Sequence, residues 1–122
     1  MQPSPLRRRA AFFLIASTIL LPLPAAAHAI IVSSDPAVDA VVRSSLPVML
    51  RFNSRIDRER SRLTLLRPDG SAQAVALAPD GRPDTLAAKL EGLAPGYYRL
   101  RWQVLAIDGH ITRGDIPFAV IP

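Results

Sequence analysis

The sequence predicts an all-β fold, an immunoglobulin-like Greek-key β-sandwich or barrel of about seven strands, and three features of residues 28–122 carry that prediction. Turn chemistry recurs at short intervals, at Asp35-Pro36, Pro68-Asp69-Gly70, Pro79-Asp80-Gly81 and Ala94-Pro95-Gly96. Proline fixes φ in such turns and glycine supplies the positive value. The runs between them are of strand length and rich in Val, Ile, Leu and aromatics. Late in the chain the period is two: Leu100, Trp102, Val104 and Ala106 fall on one face, Arg99, Arg101 and Gln103 on the other.

Taken in order, residues 1–27 read as a secretory signal peptide that is cleaved from the rest. Arg7, Arg8 and Arg9 form a positive start, and Ala10 to Leu21 is an apolar run of 12 residues. Pro22 and Pro24 then break the helix, and Ala25-Ala26-Ala27 offers the small residues that signal peptidase accepts. A membrane span needs about 20 apolar residues, so this run fits cleavage better than an uncleaved anchor, which is the alternative. The expected address is a bacterial periplasm, with no lipid anchor.

Residues 28–122 form the second unit, with strands expected over residues 29–33, 48–53, 62–66, 72–78, 85–90, 96–107 and 115–121. Trp102 reads as a core residue. The charged run Arg55 to Arg62 reads as a helical turn or a solvated loop joining two strands. The size is near the domain mode, so the core needs no staples, and zero cysteines exclude disulfides, a thiolate metal site and a cysteine nucleophile.

The whole chain carries 15 Lys+Arg against 10 Asp+Glu, but three of the positive charges are Arg7–Arg9. Residues 28–122 keep twelve against ten, scattered and mixed in sign. A nucleic-acid binder needs a basic face, and the linear order of charges offers none. A monomer without nucleic acid is expected.

Two histidines remain beyond residue 27: His28, at the terminus that cleavage after Ala27 would create, and His110 in Asp108-Gly109-His110. An N-terminal histidine chelates through its amine and Nδ1, giving two adjacent nitrogens. A second imidazole and the Asp108 carboxylate would complete a tetragonal N/O set, the geometry that Cu(II) favours. Gly109 lets the backbone turn both neighbours toward one point. Bland readings stay open. Cleavage one or two residues away would leave His28 an ordinary side chain, and Asp108 can simply cap local amides. Zinc also suits histidine and carboxylate.

These residues are similar to the CopC (CopC/YobA) family of periplasmic copper-resistance and copper-homeostasis proteins. The resemblance starts at His28-Ala29 and Ser34-Asp35-Pro36-Ala37, and continues through Leu46-Pro47 and Leu50-Arg51-Phe52. It closes on Leu93-Ala94-Pro95-Gly96-Tyr97, Trp102, Asp108-Gly109-His110, Gly114 and Phe118-Ala119-Val120. The resemblance implies a Greek-key β-barrel or sandwich that carries or buffers Cu(II) without catalysis. It implies His28 as ligand through amine and imidazole, His110 through imidazole and Asp108 through carboxylate. It also implies a CopD-type inner-membrane partner.

The chain departs from that pattern in three places. Met49 is the only methionine beyond residue 1, which leaves no methionine-rich segment for Cu(I). Asn53 and Ser54 stand where many members have an acidic residue, and Ala106 where a serine is common. The expectation is therefore a single Cu(II) site. Two other classes compete with it. One is a metal-free immunoglobulin-like interaction module. The other is a copper-dependent oxidative enzyme of the polysaccharide-monooxygenase kind, for which the chain is short and lacks an aromatic platform.

Overall fold

The computed structural model describes residues 2–3, 19–20 and 29–122. Most of the expected signal peptide, and His28, therefore lie outside the described residues. Among the described residues eight strands form: β1 (Ile31–Asp35), β2 (Ala40–Val42), β3 (Leu46–Phe52), β4 (Ile56–Leu66), β5 (Ala72–Val75), β6 (Thr85–Leu90), β7 (Gly96–Ala106) and β8 (Ile111–Val120). They make two sheets, ordered β1-β3-β6 and β2-β8-β7-β4-β5. The chain crosses between sheets after β1, β2, β3, β5 and β6, which is the interleaved connectivity expected of an immunoglobulin-like sandwich. Among the described residues no helix is long and apolar enough to cross a membrane.

The alternation read from the sequence sets what faces inward. Leu46, Val48, Leu50 and Phe52 of β3 are buried, and so are Tyr98, Leu100, Trp102, Val104 and Ala106 of β7. They interdigitate between the sheets, with Phe52 set edge-on to Trp102 at a centroid distance of 5.3 Å. Trp102 is thus the core residue that was expected. It also dictates its partner in the pairing, Gly114. A Cβ at Gly114 would stand 2.5 Å from Trp102 Cζ2, so the indole lies where any other side chain would begin. At the other end of β7, the Tyr98 hydroxyl donates to Ala94 O at 2.7 Å, a tyrosine corner that fixes the loop entering the strand.

Two elements depart from expectation. β2 is an eighth strand of three residues, paired in parallel with β8 and unmarked by the sequence pattern. The run Arg55 to Arg62 is neither helical turn nor loop, because Ile56 onward belongs to β4. Its pairing with β7 is interrupted by a bulge: Asp57 faces Leu105 and Arg62 faces Gln103, leaving four residues opposite Val104 alone. Buried Ser61 satisfies the bulge, donating to Asp57 O at 2.6 Å and accepting the Leu105 N–H at 3.2 Å. The Arg58 guanidinium donates to Pro79 O and Arg82 O across the loop before β6. The charged run therefore encodes a strand in which Ser61 and the terminal nitrogens of Arg58 are bonded locally, while among the described residues Arg58 Nε is buried without a partner.

Candidate metal centre

β7 and β8 are joined by residues 107–110, and the turn is closed by its own backbone. Ala106 N–H donates to His110 O at 2.8 Å, and Gly109 N–H to Ala106 O at 2.9 Å. Gly109 adopts φ 89°, a left-handed value that side-chain-bearing residues rarely hold, and so supplies the turn that the sequence assigned to it. Ile107 N–H donates to Arg55 O, fixing the turn to the segment before β4.

This geometry brings Asp108 and His110 together. Asp108 Oδ1 accepts the His110 backbone N–H at 3.1 Å, and Asp108 Oδ2 lies 3.2 Å from His110 Nδ1. The local amide cap set out above is thus present on Oδ1, and Oδ2 faces the His110 imidazole. The His110 backbone N–H, with the His110 ring adding to it, holds the Asp108 carboxyl below its ordinary value. Both side chains remain open to solvent. Two donors each about 2.0–2.2 Å from one ion and at right angles around it would be roughly 3 Å apart, so the observed spacing suits a cis pair on a single metal.

The chain enters beside this turn. Ala29 is buried, and its carbonyl accepts the Thr112 hydroxyl at 2.9 Å. Ile30 is gripped from the other sheet: its N–H donates to Asn53 Oδ1 at 2.8 Å, and Asn53 N–H donates back to Ile30 O at 2.9 Å. Residues 29 and 30 are thereby stitched to β8, two positions past His110, and to the end of β3. His28, the remaining expected ligand, is outside the described residues, but its peptide neighbour is pinned. Among the described residues no group of three or more His, Cys, Asp or Glu comes together, so Asp108 and His110 stand as a pair.

Asn53 and Thr112 were not singled out as functional by the sequence reading. Asn53 stands where a carboxylate is expected from the resemblance, and its side chain and backbone together clamp the entering chain. Nothing in local spacing marks Thr112, because its partner is 83 residues away. Met49 is exposed on the outward face of β3, opposite Asp35 and Ala87, away from the turn.

Comparison with known proteins now decides the family. A model of the CopC domain matches residues 31–121. The chain belongs to the CopC family. The fold agrees with solved CopC-family structures. The crystal structure of CopC from Methylosinus trichosporium OB3b superposes with a TM-score of 0.69 at 29% identity, covering 78% of this chain and 95% of that one. PcoC, a methionine-rich copper resistance protein from Escherichia coli, superposes with a TM-score of 0.63 at 29% identity, covering 78% of this chain and 100% of that one. In sequence, the copper transport protein CutJ of Bacillus subtilis is 25% identical over 118 residues, which is 93% of this chain. This CopC-family chain spans only 22% of that curated relative.

Proposed function

We propose that this CopC-family chain is a periplasmic copper-binding protein that carries or buffers a single Cu(II) ion without catalysis. The observation that supports it most is the Asp108–His110 pair, 3.2 Å apart, beside a strand entry pinned at Ala29 and Ile30. The donor chemistry fits the cargo. The residues are an imidazole and a carboxylate, in a chain without cysteine and with Met49 lying elsewhere. Nitrogen and hard oxygen suit Cu(II), whereas Cu(I) prefers thiolate and thioether.

In this reading signal peptidase cuts after Ala27, and His28 presents its amine and imidazole where Ala29 is held. His110 and Asp108 supply a third nitrogen and an oxygen. Copper release begins when the terminal residue swings away and leaves the ion on the two donors of the β7–β8 turn, from which an acceptor can take it. A CopD-type inner-membrane protein is the receiving partner. Ligating nitrogens must be deprotonated, so acid competes with copper for them. Affinity is expected to be weaker at pH 5 than at pH 7.5, and equal titration curves at the two values would contradict nitrogen ligation.

The decisive experiment is intact mass spectrometry of the exported protein, with and without Cu(II). The expected species starts at His28 and holds one copper ion. A first residue elsewhere, or no retained copper and no cupric d–d absorption, overturns the proposal.

A further inference from the structure

Strand pairing gathers positive charges that the sequence scatters. Arg62 of β4, Arg99 and Arg101 of β7 and Arg113 of β8 are all exposed and occupy outward positions of the five-stranded sheet. Arg62 and Arg113 flank Gln103 from its two sides, and Arg113 Nε donates to Gln103 Oε1 at 2.8 Å. Among the described residues one carboxylate stands inside this group. Asp115 pairs bidentately with Arg101 at 2.8 and 3.0 Å and lies 3.8 Å from Arg99 Nη1. Asp39 lies at the β2 edge, and Asp57 at the far end beside Arg60. Four guanidiniums against one carboxylate leave this face more positive than the whole of residues 28–122, whose basic excess is only two. Like charges on neighbouring strands repel, and an anionic partner relieves that repulsion.

The same face ends in an apolar corner. A groove of about 610 Å³ runs between Asp39, Val41, Arg67, Tyr97, Arg99 and Pro117, with two guanidiniums against one carboxylate. Tyr97 is 82% exposed and Val41 63% exposed. A tyrosine and an aliphatic side chain beside arginines match the chemistry of a bilayer surface, where aromatic rings sit at headgroup level and guanidiniums pair with phosphate.

We propose that the outward face of the five-stranded sheet docks on an anionic lipid bilayer, with Arg62, Arg99 and Arg113 on lipid phosphates and Tyr97 and Val41 at the headgroup boundary. Tyr97 is near the start of β7 and the Asp108–His110 turn follows its end, about 30 Å along the strand. Arg113, three residues past His110, carries the docked face up to the rim of the candidate metal turn. The proposal does not rest on copper binding.

The test is co-sedimentation of the exported chain with vesicles of phosphatidylglycerol and phosphatidylcholine, against phosphatidylcholine alone. Wild type is compared with Arg99→Glu/Arg113→Glu and with the milder Arg62→Gln/Arg113→Gln, all exported and verified by mass to share the same first residue. Wild type should bind only the anionic vesicles, and more weakly as salt rises. The charge-reversed variant should lose binding by at least about tenfold, with copper stoichiometry unchanged. If that variant does not fold, the milder one should still lose severalfold. Equal binding by wild type and a folded variant, or no binding to anionic vesicles, overturns the proposal. Arginine-dependent retention on poly-glutamate without vesicle binding also overturns it and assigns the face to an acidic protein.

Discussion

At Asp108 the two carboxylate oxygens are committed differently: Oδ1 holds the turn through the His110 N–H, while Oδ2 faces the imidazole. Asp108→Asn separates these uses, because an amide oxygen can still accept the backbone N–H but brings no charge to a metal. The variant should keep its thermal stability and lose Cu(II) affinity by at least about 100-fold, the upper end of what lost supporting partners cost. Unchanged affinity in a competition titration would remove Asp108 from the ligand set. Its lowered pKa also fixes a sign. The His110 backbone N–H holds the carboxyl below its ordinary value, so it stays ionised across the range where imidazoles and amines titrate. The affinity lost over that range must then come from protonation of nitrogen ligands. Asp115 follows the same logic for stability, since its bond from the Arg101 guanidinium, opposed by desolvation, lowers its pKa. A carboxyl with a depressed folded-state pKa contributes stability above its unfolded value and loses it as pH falls through the folded one. Asp115→Asn should therefore flatten the fall in melting temperature below about pH 4, and leave it unflattened only if the Arg101 pair contributes nothing.

Among the elements, β7 organises the molecule, pairing with β4 on one side and β8 on the other while its inward row fills the core. Its contact with β8 has no slack at Gly114. Gly114→Ala would drive a methyl into the Trp102 ring, and overpacking of this kind costs about 1–3 kcal/mol. Urea denaturation should show that loss; an unchanged midpoint would mean that the indole can shift. β7 was also the element most legible in the sequence, because a half-buried strand writes its period of two directly into residue type. β2 was not legible, since three residues are too few to show a period and its pairing comes from distant β8. The first half of β4 misled for a different reason. Arg58, Glu59, Arg60 and Ser61 carry loop-like polarity, but the bulge spends it on Ser61 and Arg58 hydrogen bonds. The same contrast holds at the site. Asp108, Gly109 and His110 are contiguous and could be read as a unit, whereas the clamps from Asn53 and Thr112 exist only after the sheets assemble. Thr112→Val tests the clamp: it should speed copper release to a competing chelator severalfold while lowering stability by only about 1 kcal/mol. An unaltered release rate would mean that Ala29 needs no such tether.

On the scale of the whole molecule, the sandwich divides its tasks between its ends and faces. The space between the sheets is filled mainly by apolar side chains, one sheet presents arginines, and the candidate metal turn projects from the end where the chain enters. Both sheets meet at that entry, because Ala29 is tied to β8 and Ile30 to the residue that follows β3. An ion held by residue 28 and by the β7–β8 turn would close a further bridge between the entering strand and the opposite sheet. Copper that binds only the folded state then stabilises the whole domain by mass action, by about 2.7 kcal/mol at free copper 100-fold above Kd. For a domain of this size each kcal/mol moves the melting temperature by about 4–8 °C, so the expected rise is roughly 10–20 °C. The control is a chain with one alanine inserted between Ala27 and His28 and verified to start at that alanine. Its imidazole and fold are intact, but its terminal amine no longer belongs to histidine and cannot close the same chelate ring. Scanning calorimetry at matched copper should give this form a markedly smaller rise. An equal rise in the two forms would show that copper is held without the histidine amine, leaving the Asp108–His110 turn to bind it with other donors.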